Sequence, residues 1–126
     1  MLPVMDNEFR VALQAICGAL PGALAVTLMG NDGIAVDTVY GTSSELEIPS
    51  LIIEYAALLD QARRSAQMFE AGGLQEMAIQ SESMMAIIRP LTSEYFLALA
   101  LEPDASAGRG RYLMRVHAHA LTQALA

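Results

Sequence analysis

The stretch from Pro49 to Glu70 constrains this chain more than any other. Leu51, Tyr55, Leu58, Leu59, Ala62, Ala66 and Phe69 recur there at three-and-four spacing, which predicts one long helix with these residues as its core face. An ordinary surface helix is polar on the opposite side. Here Ile52, Ile53, Ala56 and Ala57 occupy the first half of that side, and only then do Asp60, Arg63, Arg64 and Gln67 take over. A helix apolar on nearly all sides is buried on nearly all sides, and a chain of 126 residues is too short to supply a second helix layer over it. A partner or a second copy is expected on that outer face.

The length suits one domain, residues 1–126, large enough for a hydrophobic core without staples. Asp and Glu number 14 against 7 basic residues, all of them Arg, so a nucleic-acid partner held by phosphate contacts is not expected. Residues 1–62 hold eight acids and only Arg10, whereas residues 63–126 hold six acids and six Arg, so the negative charge belongs to the first half. The single Cys17 sits in an apolar helical context and forms no disulfide within the chain, which suggests a core thiol and a reducing compartment. No apolar run approaches the roughly 18 residues of a membrane span, and Met1 to Glu8 lacks the basic segment and apolar core of a secretory signal. A cytoplasmic protein without membrane insertion is expected.

Taken in order, Phe9, Val11, Ala12, Leu13, Ile16 and Leu20 give a first helix over 6–20, with Asp6 or Asn7 as its cap and Gly18 and Pro21-Gly22 as its stop. Ala23 to Met29 and Ile34 to Tyr40 are short apolar runs around Gly30-Asn31-Asp32-Gly33, a β-hairpin whose turn residues tolerate positive φ. A polar loop over 41–48 leads to Pro49, which fits the first turn of the long helix because its missing N–H is no loss there. After Gly72-Gly73, alternation from Leu74 to Gln80 predicts an edge strand. Met84 to Ile88 and Tyr95 to Leu101 are continuous apolar runs, hence central strands covered by helices on both faces. Tyr112, Leu113, Val116, Ala120, Leu121 and Leu125 mark a last helix from Gly110 to Leu125.

The order helix, two strands, helix, three strands, helix, joined to particular residues, resembles the Roadblock and dynein light chain family. The residues concerned are Leu20-Pro21-Gly22-Ala23, the turn Asn31-Asp32-Gly33-Ile34, Gly73 before the edge strand, and Gly110-Arg111-Tyr112-Leu113-Met114-Arg115 opening the last helix. The resemblance covers almost the full length and lies in order and spacing rather than in one motif. It implies an α+β, profilin/Roadblock-like fold: a single five-stranded antiparallel sheet with one long helix on one face and two helices on the other. It also implies a homodimer in which the long helices pack together and the edge strands pair across a two-fold axis. That assigns Ile52, Ile53, Ala56, Ala57, Gln75, Met77 and Ile79 to the interface. The free-standing bacterial MglB-type members are similar in being single domains, and such dimers commonly serve as regulators or platforms for small Ras-like GTPases. Asp60, Arg63, Arg64, Gln67 and Met68 are then the partner-binding candidates. Repositioning of the GTPase's own residues is the mechanism implied, in preference to an Arg63 or Arg64 finger, which is worth about a thousandfold or more where one is used.

The chain itself carries no phosphate-binding Gly-x-x-x-x-Gly-Lys-Ser/Thr run. His117 and His119 are two apart and point to different sides of a helix, so they do not share a metal. Gly108-Arg109-Gly110-Arg111 is a single repeat in an acidic protein and reads as helix entry rather than an RNA loop. Glu45 and Glu47 lack a third cation ligand at fixed spacing, and Ser43, Ser44 and Ser50 lack a base. The eight Met read mainly as core filler, with Met68 outward. No catalytic site, metal site or cofactor is expected. A passive dimeric scaffold with no effect on nucleotide turnover is the alternative function. An enzyme or ligand-binding domain would need convergent polar groups that the sequence does not assemble.

Overall fold

The computed structural model describes residues 4–126, with side chains from residue 8 onward. Three helices and five strands follow one another as α1 (Val4–Gly18), β1 (Ala23–Gly30), β2 (Ala35–Tyr40), α2 (Ile48–Met68), β3 (Met77–Gln80), β4 (Met85–Pro90), β5 (Tyr95–Leu101) and α3 (Ala107–Leu125). The strands form one antiparallel sheet in the order β2-β1-β5-β4-β3. The side chains of Asp6 and Asn7, expected as the first helix cap, lie outside the described residues.

Alternation along β5 divides the core. Leu97, Leu99 and Leu101 point to one face, where they meet Phe9, Leu13 and Ile16 of α1 and Leu113, Met114 and Leu121 of α3. Phe96, Ala98 and Ala100 point to the other, beneath Ile48, Ile52, Ala56 and Leu59 of α2. Both faces are therefore dry, as the unbroken apolar runs demand. The two layers differ in grain. Leucines carry the two-helix side, while Ala25, Ala86, Ala98 and Ala100 leave little between the sheet and the single long helix. A bulge shapes the hand-over: Ala23 pairs with Leu101 and Ala25 with Ala100, so Leu24 is the extra residue on β1, and both Leu24 and Ala25 face α2.

Two expectations are corrected in extent. β3 begins at Met77 rather than Leu74, because the chain before it does not alternate. Leu74 and Met77, three apart, both pack on the α2-side core, and Glu76 turns to the opposite face to bind Arg111 of α3, with Nε 3.0 Å from each carboxylate oxygen. α3 begins three residues earlier than expected, because Ser106 caps it by accepting from the Arg109 N–H at 3.1 Å. Gly110 then lets the helix backbone approach the sheet: a Cβ there would stand 2.8 Å from Leu99 Cδ2.

Candidate functional site

The exposed part of α2 and the β3 edge of the sheet hold the residues that the sequence assigns to an interface or a partner. Among the described residues no group of three or more His, Cys, Asp or Glu could hold a metal ion. No helix among them is long and apolar enough to cross a membrane. Cys17 is half-buried, and burial pushes its thiol pKa up, so it is a poor nucleophile near neutrality. His117 and His119 lie on α3, the first half-buried and the second exposed. Arg109 and Arg111, the pair in the glycine-arginine run, both fasten α3 to the rest of the molecule. Arg109 Nε donates to the Ala19 carbonyl at 2.9 Å, and Arg111 holds Glu76.

The orientation of α2 decides which residues are available. Its buried positions are Ile48, Ile52, Ala56 and Leu59, spaced by four, four and three. Ile52 is only 2% exposed and Ala56 only 5%, against the sheet, so neither can touch a second molecule as expected from the sequence. The stripe that reads as core is rotated by roughly one position. Leu51 and Tyr55 are half-buried, Leu58 is 52% exposed and Phe69, expected in the core, is 77% exposed. Ile53 and Ala57 are exposed as anticipated.

The two flanks of α2 face opposite edges of the sheet. Pro49, Ile52 and Ile53 lie beside the β1–β2 hairpin, where they line a groove of about 140 Å³ with Gly33, Ala35, Thr38 and Tyr40. Leu51, Tyr55, Leu58 and Ala62 lie on the other flank by helical spacing. Leu51 and Tyr55 pack on the same cluster as Met77, the first residue of β3. Met77 and Ile79 pair with Ile88 and Ala86, which belong to the α2-side core, so both edge-strand side chains point to that same side. Gln75 is exposed and precedes the strand.

The sheet edges are built differently. β3 reads Met-Ala-Ile-Gln, with neither charge nor proline to discourage another strand. In β2, Leu28 pairs with Asp37 and Met29 with Ala35, so Val36 is an extra residue that bulges the edge. Asp37 next to it is clamped to Arg10 of α1 at 2.6 Å.

Of the partner-binding candidates, Asp60, Arg64, Gln67 and Met68 are exposed in the second half of α2. Arg63 is not part of that strip. It lies on the buried stripe, four residues after Leu59, and its guanidinium reaches over the end of the sheet to donate to the Ser93 and Thr92 carbonyls, both at 3.2 Å. Asn31 reinforces the same corner: its Nδ2 donates to Ser93 O at 2.7 Å and its backbone N–H to Glu94 O at 2.9 Å. Arg64 is held to Asp60 at 3.0 Å, in an exposed pair worth little by itself.

Comparison with known proteins supplies the relationship. No protein-family model matches the chain, and no curated protein does. Among solved structures, MglB in a tetrameric arrangement is 15% identical over 98% of this chain and 92% of its own, with a TM-score of 0.86. A Roadblock/LC7 domain from Streptomyces avermitilis is 16% identical over 91% of this chain and 95% of its own, at 0.79. Both share the fold. MglC from Myxococcus xanthus is 38% identical over 92% of this chain and 98% of its own, with a TM-score of 0.67. The chain belongs to the Roadblock/LC7 family. The helix order, the five antiparallel strands and the position of the long helix alone on one face are those of a Roadblock domain. The uncharged β3 edge and the apolar α2 flank beside it are the surfaces this Roadblock chain leaves uncovered on one side of the molecule.

Proposed function

We propose that this Roadblock protein is a cytoplasmic homodimer that serves as a docking platform or regulator for a small Ras-like GTPase, acting by binding rather than by catalysis of its own. The observation that carries this reading is the match to MglC along nearly the whole of both chains. The dimer is supported by a seam with two parts, an uncharged edge strand and the apolar helix flank beside it. Leu51, Tyr55, Leu58, Met77 and Ile79 form that seam. Ile52 and Ala56 are excluded from it by burial, and Ile53 faces the hairpin instead. Pairing β3 with its symmetry mate gives every strand N–H and C=O on that edge a partner and covers Leu58 in the same step.

The client GTPase then meets the exposed strip of Asp60, Arg64, Gln67 and Met68. One structural detail favours a rigid platform over an arginine finger. Arg63 is committed to two main-chain carbonyls, so inserting it into a neighbour's active site would break both bonds and loosen the corner of the sheet. A regulator of this kind acts by binding one nucleotide state of its client more tightly than the other, since equal affinity shifts nothing. The test is single-turnover GTP hydrolysis by each small Ras-like GTPase of the source organism, with and without excess protein. Acceleration names the client and establishes regulation. Stable binding with unchanged turnover assigns a passive scaffold, and absence of binding to any of them refutes the proposal.

A further inference from the structure

The groove on the hairpin flank of α2 belongs to neither the dimer seam nor the strip assigned to the GTPase. It exists because α2 does not cover the whole of its face of the sheet. The β1–β2 register places Ala25, Thr27, Ala35, Thr38 and Tyr40 on the α2 side, and the four small residues among them floor a trough whose wall is Pro49 and Ile53. The threonines do not make the floor polar. Their hydroxyls share a hydrogen bond of 2.6 Å, and Thr27 Oγ1 also donates to the Asp37 carbonyl at 3.1 Å. Tyr40 and Ile53, 60% and 47% exposed, stand at the mouth.

No charged side chain lines this trough, and the charges next to it in the chain are all of one sign. Glu45 and Glu47, both exposed, precede Ile48 and Pro49 at one end, whereas Asp32, before Gly33, lines a separate cleft with Ile34, Val36, Glu94 and Tyr95. Neither Glu45 nor Glu47 takes part in an ion pair among the described residues. From residue 11 to residue 62 the chain contains no Arg, Lys or His at all. An apolar slot with unpaired acids at one end rejects an acidic segment through repulsion and accepts a cationic one, in the way that complementary potentials select partners.

The geometry points to a docking groove for a basic amphipathic helix of a partner protein, which inserts one apolar side chain over Ala35 and Thr38 and sets Lys or Arg against Glu45 and Glu47. Anchoring by an apolar residue in a small-floored slot follows the usual logic of helix-in-groove recognition. The proposal does not rest on the GTPase reading, and its test uses no GTPase.

The probe is a fluorescent synthetic helix with leucines on one face and lysines on the other, titrated with the protein at physiological salt and followed by anisotropy. A matched helix with glutamates for lysines is the control. The Leu/Lys helix is expected to bind and the Leu/Glu helix to fail. Ala35→Phe, which fills the slot, and the double reversal Glu45→Lys/Glu47→Lys are each expected to weaken binding by about tenfold or more, while Glu82→Lys, on the β3–β4 turn at the opposite edge of the sheet, leaves it unchanged. Should Ala35→Phe fail to fold, Ile53→Asp on the exposed wall gives the same reading. Equal loss from Glu82→Lys, or binding indifferent to both Ala35→Phe and Ile53→Asp, would show a diffuse charge effect and overturn the proposal. Self-association abolished by Ala35→Phe would also overturn it, by giving the groove to a second copy.

Discussion

Ile52 and Ile53 are neighbours of identical chemistry, and the orientation of α2 predicts that truncating them has unequal consequences. Ile52 is buried over Ala98 and Ala100, so Ile52→Ala removes apolar contacts and leaves a cavity, a loss of about 3 kcal/mol within the usual range for such sites. Unfolding entropy is about 2.1 cal/mol/K per residue, or about 0.26 kcal/mol/K over the 126 residues. The variant should therefore melt about 11 °C lower. Ile53 keeps nearly half its surface in water, and Ile53→Ala should lower stability by no more than about 1 kcal/mol, or about 4 °C. Calorimetric melts at two protein concentrations check both statements. If Ile53 lay in the homodimer seam, the drop caused by its truncation would change with concentration, because association adds to apparent stability by mass action. Equal drops for the two variants, or a larger one for Ile53, would refute this orientation of the helix.

Leu58→Glu on the β3-side flank should halve the mass measured by light scattering while the melting of the monomer stays cooperative; an intact dimer would remove Leu58 from the seam. Arg64→Glu should abolish client binding in pull-down with the dimer retained, and loss of the dimer would reassign that residue. Arg63→Ala is expected to lower stability by about 2 kcal/mol in urea titration through its lost carbonyl bonds, so weaker GTPase stimulation after correction for the folded fraction would revive a direct role. Cys17, whose thiol pKa is raised by burial, keeps its proton to higher pH in the native chain than in the unfolded one. Stability should then fall as pH rises through the ordinary thiol range, where the unfolded state binds fewer protons, and thiol reagents should label the native protein more slowly than the urea-unfolded chain.

The sheet was legible in the sequence because its signals do not compete. Asn31-Asp32-Gly33 marks the hairpin, and the Tyr95 to Leu101 run could only be a doubly covered strand. The facing of α2 was not legible, since Leu51, Tyr55, Leu58 and Ala62 make as good an apolar stripe as Ile48, Ile52, Ala56 and Leu59. Periodicity cannot rank two such stripes; what separates them is the alanine-rich face of the sheet, a tertiary fact. Arg63 misled for a related reason. Grouped with Asp60, Arg64 and Gln67 it reads as part of the outer polar face, yet it stands one turn beyond buried Leu59 and its length carries the charge to carbonyls at the sheet's corner. Ser106 as a cap was readable in principle, but the glycines at 108 and 110 drew the predicted start of α3 inward.

The unlike edges of the sheet bear on how far assembly can go. A chain with two bare edges can add copies without end, each newcomer exposing a fresh template, and that is the geometry of fibres. With Val36 bulged and Asp37 pinned to Arg10, one end of this sheet is closed to strand addition, and β3 is short enough to be consumed by a single twin. In the proposed homodimer, joining through β3 uses up the unblocked edge among the described residues, so strand-by-strand growth ends at the first encounter and leaves ten strands with blunt ends.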